Sequence, residues 1–220
     1  MKNEIVENNT RETCYSCYRP KSSCMCDYIN KIETKTQFVI LMHPKEFRKT
    51  KNGTGRFTHN SLPNSSLFIG IDFSDNVEIN KMIGDSSNNC FVLYPHTNSI
   101  KLNEVNIQEE GKSNIIFIID STWPCSKKIL AVSENINKLP KISFEHTKSS
   151  EFKIKTQPNK YCLSTIESTL CVLELLTQHR IENIKQEQFE KFLEPFNTMV
   201  NYQINCVSKP EIKEPRFLRR

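Results

Sequence analysis

NIIFIIDSTWPCSKK, residues 114–128, is the stretch on which the fold turns. Ile115, Ile116, Phe117, Ile118 and Ile119 form an unbroken apolar run, four of the five β-branched. Such a run reads as a strand covered on both faces, because a half-exposed strand would alternate apolar and polar side chains. Asp120-Ser121-Thr122-Trp123 then leaves the sheet at a strand's carboxyl end, where the loops of open α/β sheets converge on a ligand crevice. Trp123 is the only tryptophan of the chain. Two readings of the tetrad are open on local sequence: a helix cap followed by a core tryptophan, or the polar lining of a site.

Working outward, QFVILM (37–42) is a second buried strand, and it ends in His43-Pro44. His43 reads locally as a turn residue or as a second chemical group at a strand exit. Lys45, Arg48, Lys49, Lys51 and Arg56 follow with a single acid, Glu46, and two glycines, Gly53 and Gly55, among them. That segment reads as a basic loop, either solvated surface or a contact for a polyanion. Ser61 to Ser66 is a turn, Leu67 to Ile71 a short strand, and Asp72 to Asn89 a polar connection with at most one weak helix. Cys90 to Tyr94 is a further strand, stopped by Pro95, and residues 96–113 are irregular. Beyond Trp123, Ile129, Leu130, Val132, Ile136 and Leu139 mark one helical face. Lys141 to Phe144 is a strand. Ser164 with Glu167 three residues later opens an apolar helix, Ile166 to Gln178, with a capping box, and uncapped N–H groups at such a terminus also suit an anion. A last helix, Gln186 to Val200, is interrupted at Pro195.

The chain has 220 residues, enough for one large domain, and a formal net charge of +5, which suits a polyanionic partner without requiring one. No stretch approaches the ~20 apolar residues of a membrane span, and the first residues lack an apolar signal region, so an intracellular address, cytoplasmic or nuclear, is expected. Four of the nine cysteines, Cys14, Cys17, Cys24 and Cys26, fall close together near the start. Two close pairs supply the four thiolates of a structural Zn2+ site, whereas a redox dithiol would account for one pair only.

The combined pattern resembles the DTW-domain proteins, which are tRNA-uridine aminocarboxypropyltransferases. It comprises the four cysteines, His43-Pro44-x-Glu46, Asn52-x-Thr54, Leu93-Tyr94-Pro95, Asp120-x-Thr122-Trp123, Gln157-Pro158 and Leu163-Ser164-Thr165-x-Glu167. The resemblance runs in order from about residue 14 to 180. Departures are small: Ser121 stands where glycine is commoner, Ser126 and Ser168 replace alanines, and Lys153 and Lys155 stand where arginine is usual before the proline.

The resemblance implies an α/β, SPOUT-like fold, with a largely parallel sheet and a C-terminal trefoil knot. Its expected divisions are a disordered N-terminus (1–12), a zinc knuckle (13–30), the catalytic domain (31–205) and a basic tail (206–220). It implies transfer of the 3-amino-3-carboxypropyl group of S-adenosylmethionine to N3 of a tRNA uridine. Asp120 is then the expected base, Thr122 its orienting partner and Trp123 a stacking surface. Ser164, Thr165 and Glu167, with backbone of Leu139 to Ile142, are the expected cofactor contacts. His43 and Glu46 are expected beside the target base, and Arg48, Lys49, Lys51, Arg56 and the basic tail on tRNA. Two rival expectations are a SPOUT-type RNA methyltransferase and a non-catalytic zinc-containing RNA-binding module. Oligomeric state is left open.

Overall fold

Six strands form one sheet in which every ladder is parallel: β1 (Gln37–Met42), β2 (Ser65–Ile69), β3 (Asn88–Leu93), β4 (Ile100–Lys101), β5 (Ser113–Asp120) and β6 (Lys141–Ser143). Their spatial order is β2-β1-β5-β3-β6-β4. The computed structural model describes residues 12–49, 52–154 and 162–208. The helices are α1 (Pro44–Lys49), α2 (Gly55–Ser61), α3 (Val77–Gly84), α4 (Trp123–Val132), α5 (Glu134–Asn137), α6 (Thr165–Gln178), α7 (Gln186–Phe192) and α8 (Glu194–Ser208).

β5 lies inside the sheet between β1 and β3, which is why its apolar residues run without a break. Alternate side chains serve opposite faces. Ile116 and Ile118, with Phe38 of β1, pack beneath α6, α7 and α8, where Leu173, Phe192 and Phe196 are fully buried. Ile115 and Phe117, with Val39 and Leu41, pack against Ile79, Ile129 and Ile136 of α3, α4 and α5. Glu182, itself buried, accepts the N–H groups of Thr36 and Lys35 at 2.7 and 3.0 Å and so fixes the entry to β1.

The differences from expectation have local causes. β2 begins at Ser65 rather than Leu67, because Ser65 and Ser66 pair with Phe38 and Val39 along an edge that needs no apolar run. The basic segment after β1 is not a loop throughout but contains α1 and α2. The helical face from Ile129 to Leu139 is divided at Ser133 into α4 and α5. There the Ser133 hydroxyl accepts the Phe73 N–H at 3.0 Å and donates to the Ile71 carbonyl, contacts that compete with a continuous helix. The last helix breaks at Leu193, and Pro195 falls in the first turn of α8, where its missing N–H is tolerated. The two-residue β4 was too short for any pattern to reveal.

The cysteine knuckle is built into this core. Cys17, Met25 and Ile32 are buried in the same cluster as α6 to α8, and Asn30 donates to Glu194 of α8 at 2.8 Å. No helix among the described residues is long and apolar enough to cross a membrane. Because Phe117 is fully buried at the middle of the central strand, Phe117→Ala should lower the free energy of unfolding by about 3–5 kcal/mol in denaturant titration.

Candidate active site

Two clefts meet on either side of Trp123 at the carboxyl ends of the strands. The larger, about 310 Å³, is bounded by Leu93 and Tyr94 at the end of β3, by Ser143 and Phe144 at the end of β6, and by His146. The other, about 250 Å³, holds Asp120 and Thr122 and is walled by Glu46, Asn52, Thr54 and Phe152. Ser121, Trp123, Cys162, Leu163 and Thr165 belong to both. Trp123 is 41% exposed and meets Tyr94 edge-on, with ring centroids 6.0 Å apart. It is a partition between clefts, not a core residue.

Asp120 terminates β5 and is only 5% exposed. Its Oδ1 accepts the Thr165 hydroxyl at 2.6 Å, and its backbone carbonyl accepts the His43 N–H at 3.1 Å, closing the β1 and β5 ends together. Gly55 packs directly behind the carboxyl: a β-carbon there would lie 2.6 Å from Asp120 Cγ. A side chain at this position would therefore push the acid out of place. The Arg56 guanidinium next to it acts electrostatically on Asp120, although burial pulls its own pKa below the ordinary arginine value.

The residue that orients Asp120 is thus Thr165 rather than Thr122. Thr122 caps α4 at the mouth of the cleft and is exposed. Ser164 lines the Asp120 cleft, but its N–H and hydroxyl both donate to Glu167 Oε2, at 2.8 and 2.6 Å. Glu167, 6% exposed, also accepts the Glu151 N–H at 2.8 Å and the Ser150 hydroxyl at 2.9 Å. Glu167, expected at the cofactor, has its oxygens engaged in tying the 144–154 segment to the start of α6. That segment carries Phe144 and His146 into the larger cleft, while Phe152 packs edge-on against Phe196 and faces the smaller one.

Leu139 and Ile142 are buried in the two opposite cores, and the Ile142 carbonyl is used in the sheet by the Tyr94 N–H. The residues of that strand that reach the cleft are Ser143 and Phe144, one step further along. His43 is buried with its Nδ1 accepting the Lys45 N–H at 3.0 Å, the turn role, and it lines neither cleft. Glu46 does reach the Asp120 cleft. Arg56 lies over the adjoining rings of Tyr18 and Phe47, 3.9 and 4.2 Å from their centroids, and Arg48 is exposed near it. The Lys49 side chain, Lys51, Lys155, Gln157-Pro158 and the basic tail from 209 lie outside the described residues, as does the N-terminal stretch 1–11.

The sulfurs of Cys14, Cys17, Cys24 and Cys26 all lie within 4.8 Å of one another. Cys14–Cys26 and Cys17–Cys24 are each separated by 3.7 Å. That is far beyond a disulfide bond and close to the ~3.8 Å edge of a tetrahedron with ~2.3 Å metal–sulfur bonds. Backbone N–H groups of Cys17 and Ser16 lower the Cys14 pKa to about 6, whereas burial raises those of Cys24 and Cys26. The donor set fits one tetrahedral divalent ion.

Residues 11–204 match the DTW domain. The chain belongs to the DTW-domain family. The cysteine cluster and both clefts therefore fall within a single DTW match. A mouse protein named tRNA-uridine aminocarboxypropyltransferase 2 is 26% identical over 95% of this chain and 69% of its own. A Drosophila melanogaster protein of the same name is 27% identical over 90% of this chain and 77% of its own. An Arabidopsis thaliana protein named tRNA-uridine aminocarboxypropyltransferase A is 22% identical over 100% of this chain and 91% of its own. No solved structure matches this DTW chain.

The short distances around Asp120 and the cysteines generate two expectations for the DTW domain. Purified protein should carry about one tetrahedral divalent ion per chain by elemental analysis, and Cys26→Ser should release it and lower the melting temperature. Gly55→Ala should fold less stably, by about 1–3 kcal/mol on thermal unfolding, because the added methyl displaces the buried carboxyl from its Thr165 partner or shifts the helix backbone.

Proposed function

We propose that this DTW protein transfers the 3-amino-3-carboxypropyl group of S-adenosylmethionine to N3 of a uridine in tRNA. The observation that carries this reading is the pair of clefts sharing Trp123 and Thr165, with a buried, oriented carboxylate on one side only. Two substrates of different chemistry can meet there across one aromatic wall. The names of the relatives supply the group and the acceptor.

In the reaction, the N3 lone pair forms a bond to the aminocarboxypropyl carbon attached to the sulfonium. The carbon–sulfur bond breaks, its electron pair stays on sulfur, and methylthioadenosine leaves. The N3 proton passes to a base. Asp120 fills that role, with its Oδ1 held by the Thr165 hydroxyl and its Oδ2 set against Gly55 at the wall of the cleft. Glu46, Asn52 and Thr54 border the acceptor base. The larger cleft, with Tyr94 and Phe144, takes the adenosine, and Trp123 stacks on a ring at the boundary. First-turn N–H groups of α6, at Thr165 and beyond, suit the donor's carboxylate. Arg48 and its basic neighbours meet tRNA phosphates, and contacts of that kind weaken with salt. Zn2+ held by Cys14, Cys17, Cys24 and Cys26 would stabilise the knuckle beside this surface, with no part in the bond changes.

The same reading takes the sheet, with β5 inserted between β1 and β3, as a SPOUT-like domain closed by a C-terminal trefoil knot. The knuckle spans 13–30 and the catalytic domain 31–205. A tRNA substrate implies work in the cytoplasm, the nucleus or both.

Incubation with unmodified tRNA and labelled S-adenosylmethionine, followed by nucleoside mass spectrometry, tests the reaction. An aminocarboxypropyl-uridine is expected. A methylated nucleoside would point to the methyltransferase instead, and tRNA binding without any affinity for the donor would point to a binding module. Asp120→Asn should keep donor binding and the melting temperature but reduce turnover by about 10²–10⁴-fold. Near-normal turnover would remove Asp120 as the base.

A further inference from the structure

A third, smaller cavity of about 100 Å³ lies between the knuckle and the segment after β1. Three arginines line it, Arg19, Arg48 and Arg56, together with Tyr18, Phe47 and Gly53, and no acidic residue does. Gly53 also lines the Asp120 cleft, so the two cavities adjoin at this residue.

Gathering three cations costs electrostatic energy unless something answers it. Part of the answer is local. Arg19 and Arg56 both face Cys17, and Arg19 also faces Cys24, so the thiolates of the cysteine cluster offset some of this charge. A divalent ion with four thiolates would carry two negative charges, and the Asp120 carboxylate adds a third beside Arg56, so Arg19 and Arg56 are answered locally and Arg48 is the arginine left for a ligand. Arg19 and Arg56 are also fixed in place. Arg19 donates to the Ser23 carbonyl at 2.8 Å and to Asn52 Oδ1 at 3.4 Å. Arg56 lies over the adjoining rings of Tyr18 and Phe47 and donates to the Phe47 carbonyl at 3.2 Å. Arg48, at the exposed rim, takes part in none of the ion pairs found among the described residues. Two immobilised guanidinium groups and one free to close make a preorganised seat for a small tetrahedral anion.

We propose that this cavity seats one phosphodiester phosphate of the RNA chain, the one flanking the nucleotide whose base enters the Asp120 cleft, and that Arg48 closes on it. The proposal rests on the reading that the acceptor is a uridine within RNA. It adds a reason for the enzyme to take a nucleotide in a polymer: a free nucleoside could fill the base cleft but would leave the arginine seat unused. Arg19 and Arg56 act here as fixed charges, and Arg48 makes the movable contact.

The test uses the full chain with tRNA whose modified uridine has been mapped with the wild-type protein, so that failure of the overall reaction is seen first and separately. A single uncharged methylphosphonate is placed at either phosphate flanking that uridine, and each tRNA is tried with wild type and Arg48→Gln. At one of the two positions the methylphosphonate should lower wild-type kcat/KM by about tenfold, the size of one charge-assisted hydrogen bond. Arg48→Gln on unmodified tRNA should do the same, and the two together should cost no more than either alone. The variant should keep the wild-type melting temperature and donor affinity, and its binding should be less salt-dependent by about one unit of log–log slope. Losses that multiply at both positions would make Arg48 a diffuse surface charge and overturn the proposal. Unchanged kcat/KM with either substitution would overturn it as well.

Discussion

The hydrogen bond from Thr165 to Asp120 joins two parts of the chain 45 residues apart, and the geometry of the site depends on it. A carboxylate that is 5% exposed at the end of a central strand needs a partner to offset its lost hydration. Thr165 supplies one from the first residue of α6, and in doing so pins the helix start to the sheet. Both clefts are then defined, since Thr165 and Trp123 lie in each. Glu167 secures the same helix end from the other side by holding the 144–154 segment, and Gly55 leaves room for the acid from behind. Two separate segments, the start of α6 and the start of α2, meet at one carboxyl group.

The knuckle contributes to this arrangement through packing as well as position. Cys17, Met25 and Ile32 share the core of α6 to α8, so a divalent ion that orders the cysteines would also stiffen the helices that present Thr165. Tyr18 of the knuckle holds Arg56 over its ring, and Arg56 follows the glycine that abuts Asp120. A metal held by the cysteines would be coupled to core packing and to the electrostatics of the acid through a few side chains.

Residues 115–119 revealed their strand and its central place because burial on both faces leaves a direct trace in the sequence. The four cysteines were legible for a similar reason, since a tetrahedral site demands close pairs. The Ser164–Glu167 pattern showed where α6 begins, but not that both groups are turned toward each other and the 150 region. Pairings across the fold left no such trace. Thr122 is near Asp120 in sequence, yet the hydroxyl that reaches the carboxyl comes from Thr165. Periodicity assigns residues to faces and cannot say which side chain from a distant element will arrive opposite. Ile142 and Ser143 differ by a single step along β6, enough to exchange a core for a cleft. Gly55 carried a usable signal: a glycine in a polar, basic segment often marks close approach of another group.

The most direct measurement is a crystal structure with methylthioadenosine and a uridine-containing RNA bound together. The mechanism requires the uracil in the Asp120 cleft with N3 about 2.6–3.2 Å from a carboxylate oxygen, and the adenosine on the far side of Trp123. A uracil seated elsewhere, with the Asp120 carboxyl still closed against Thr165 and remote from N3, would contradict it.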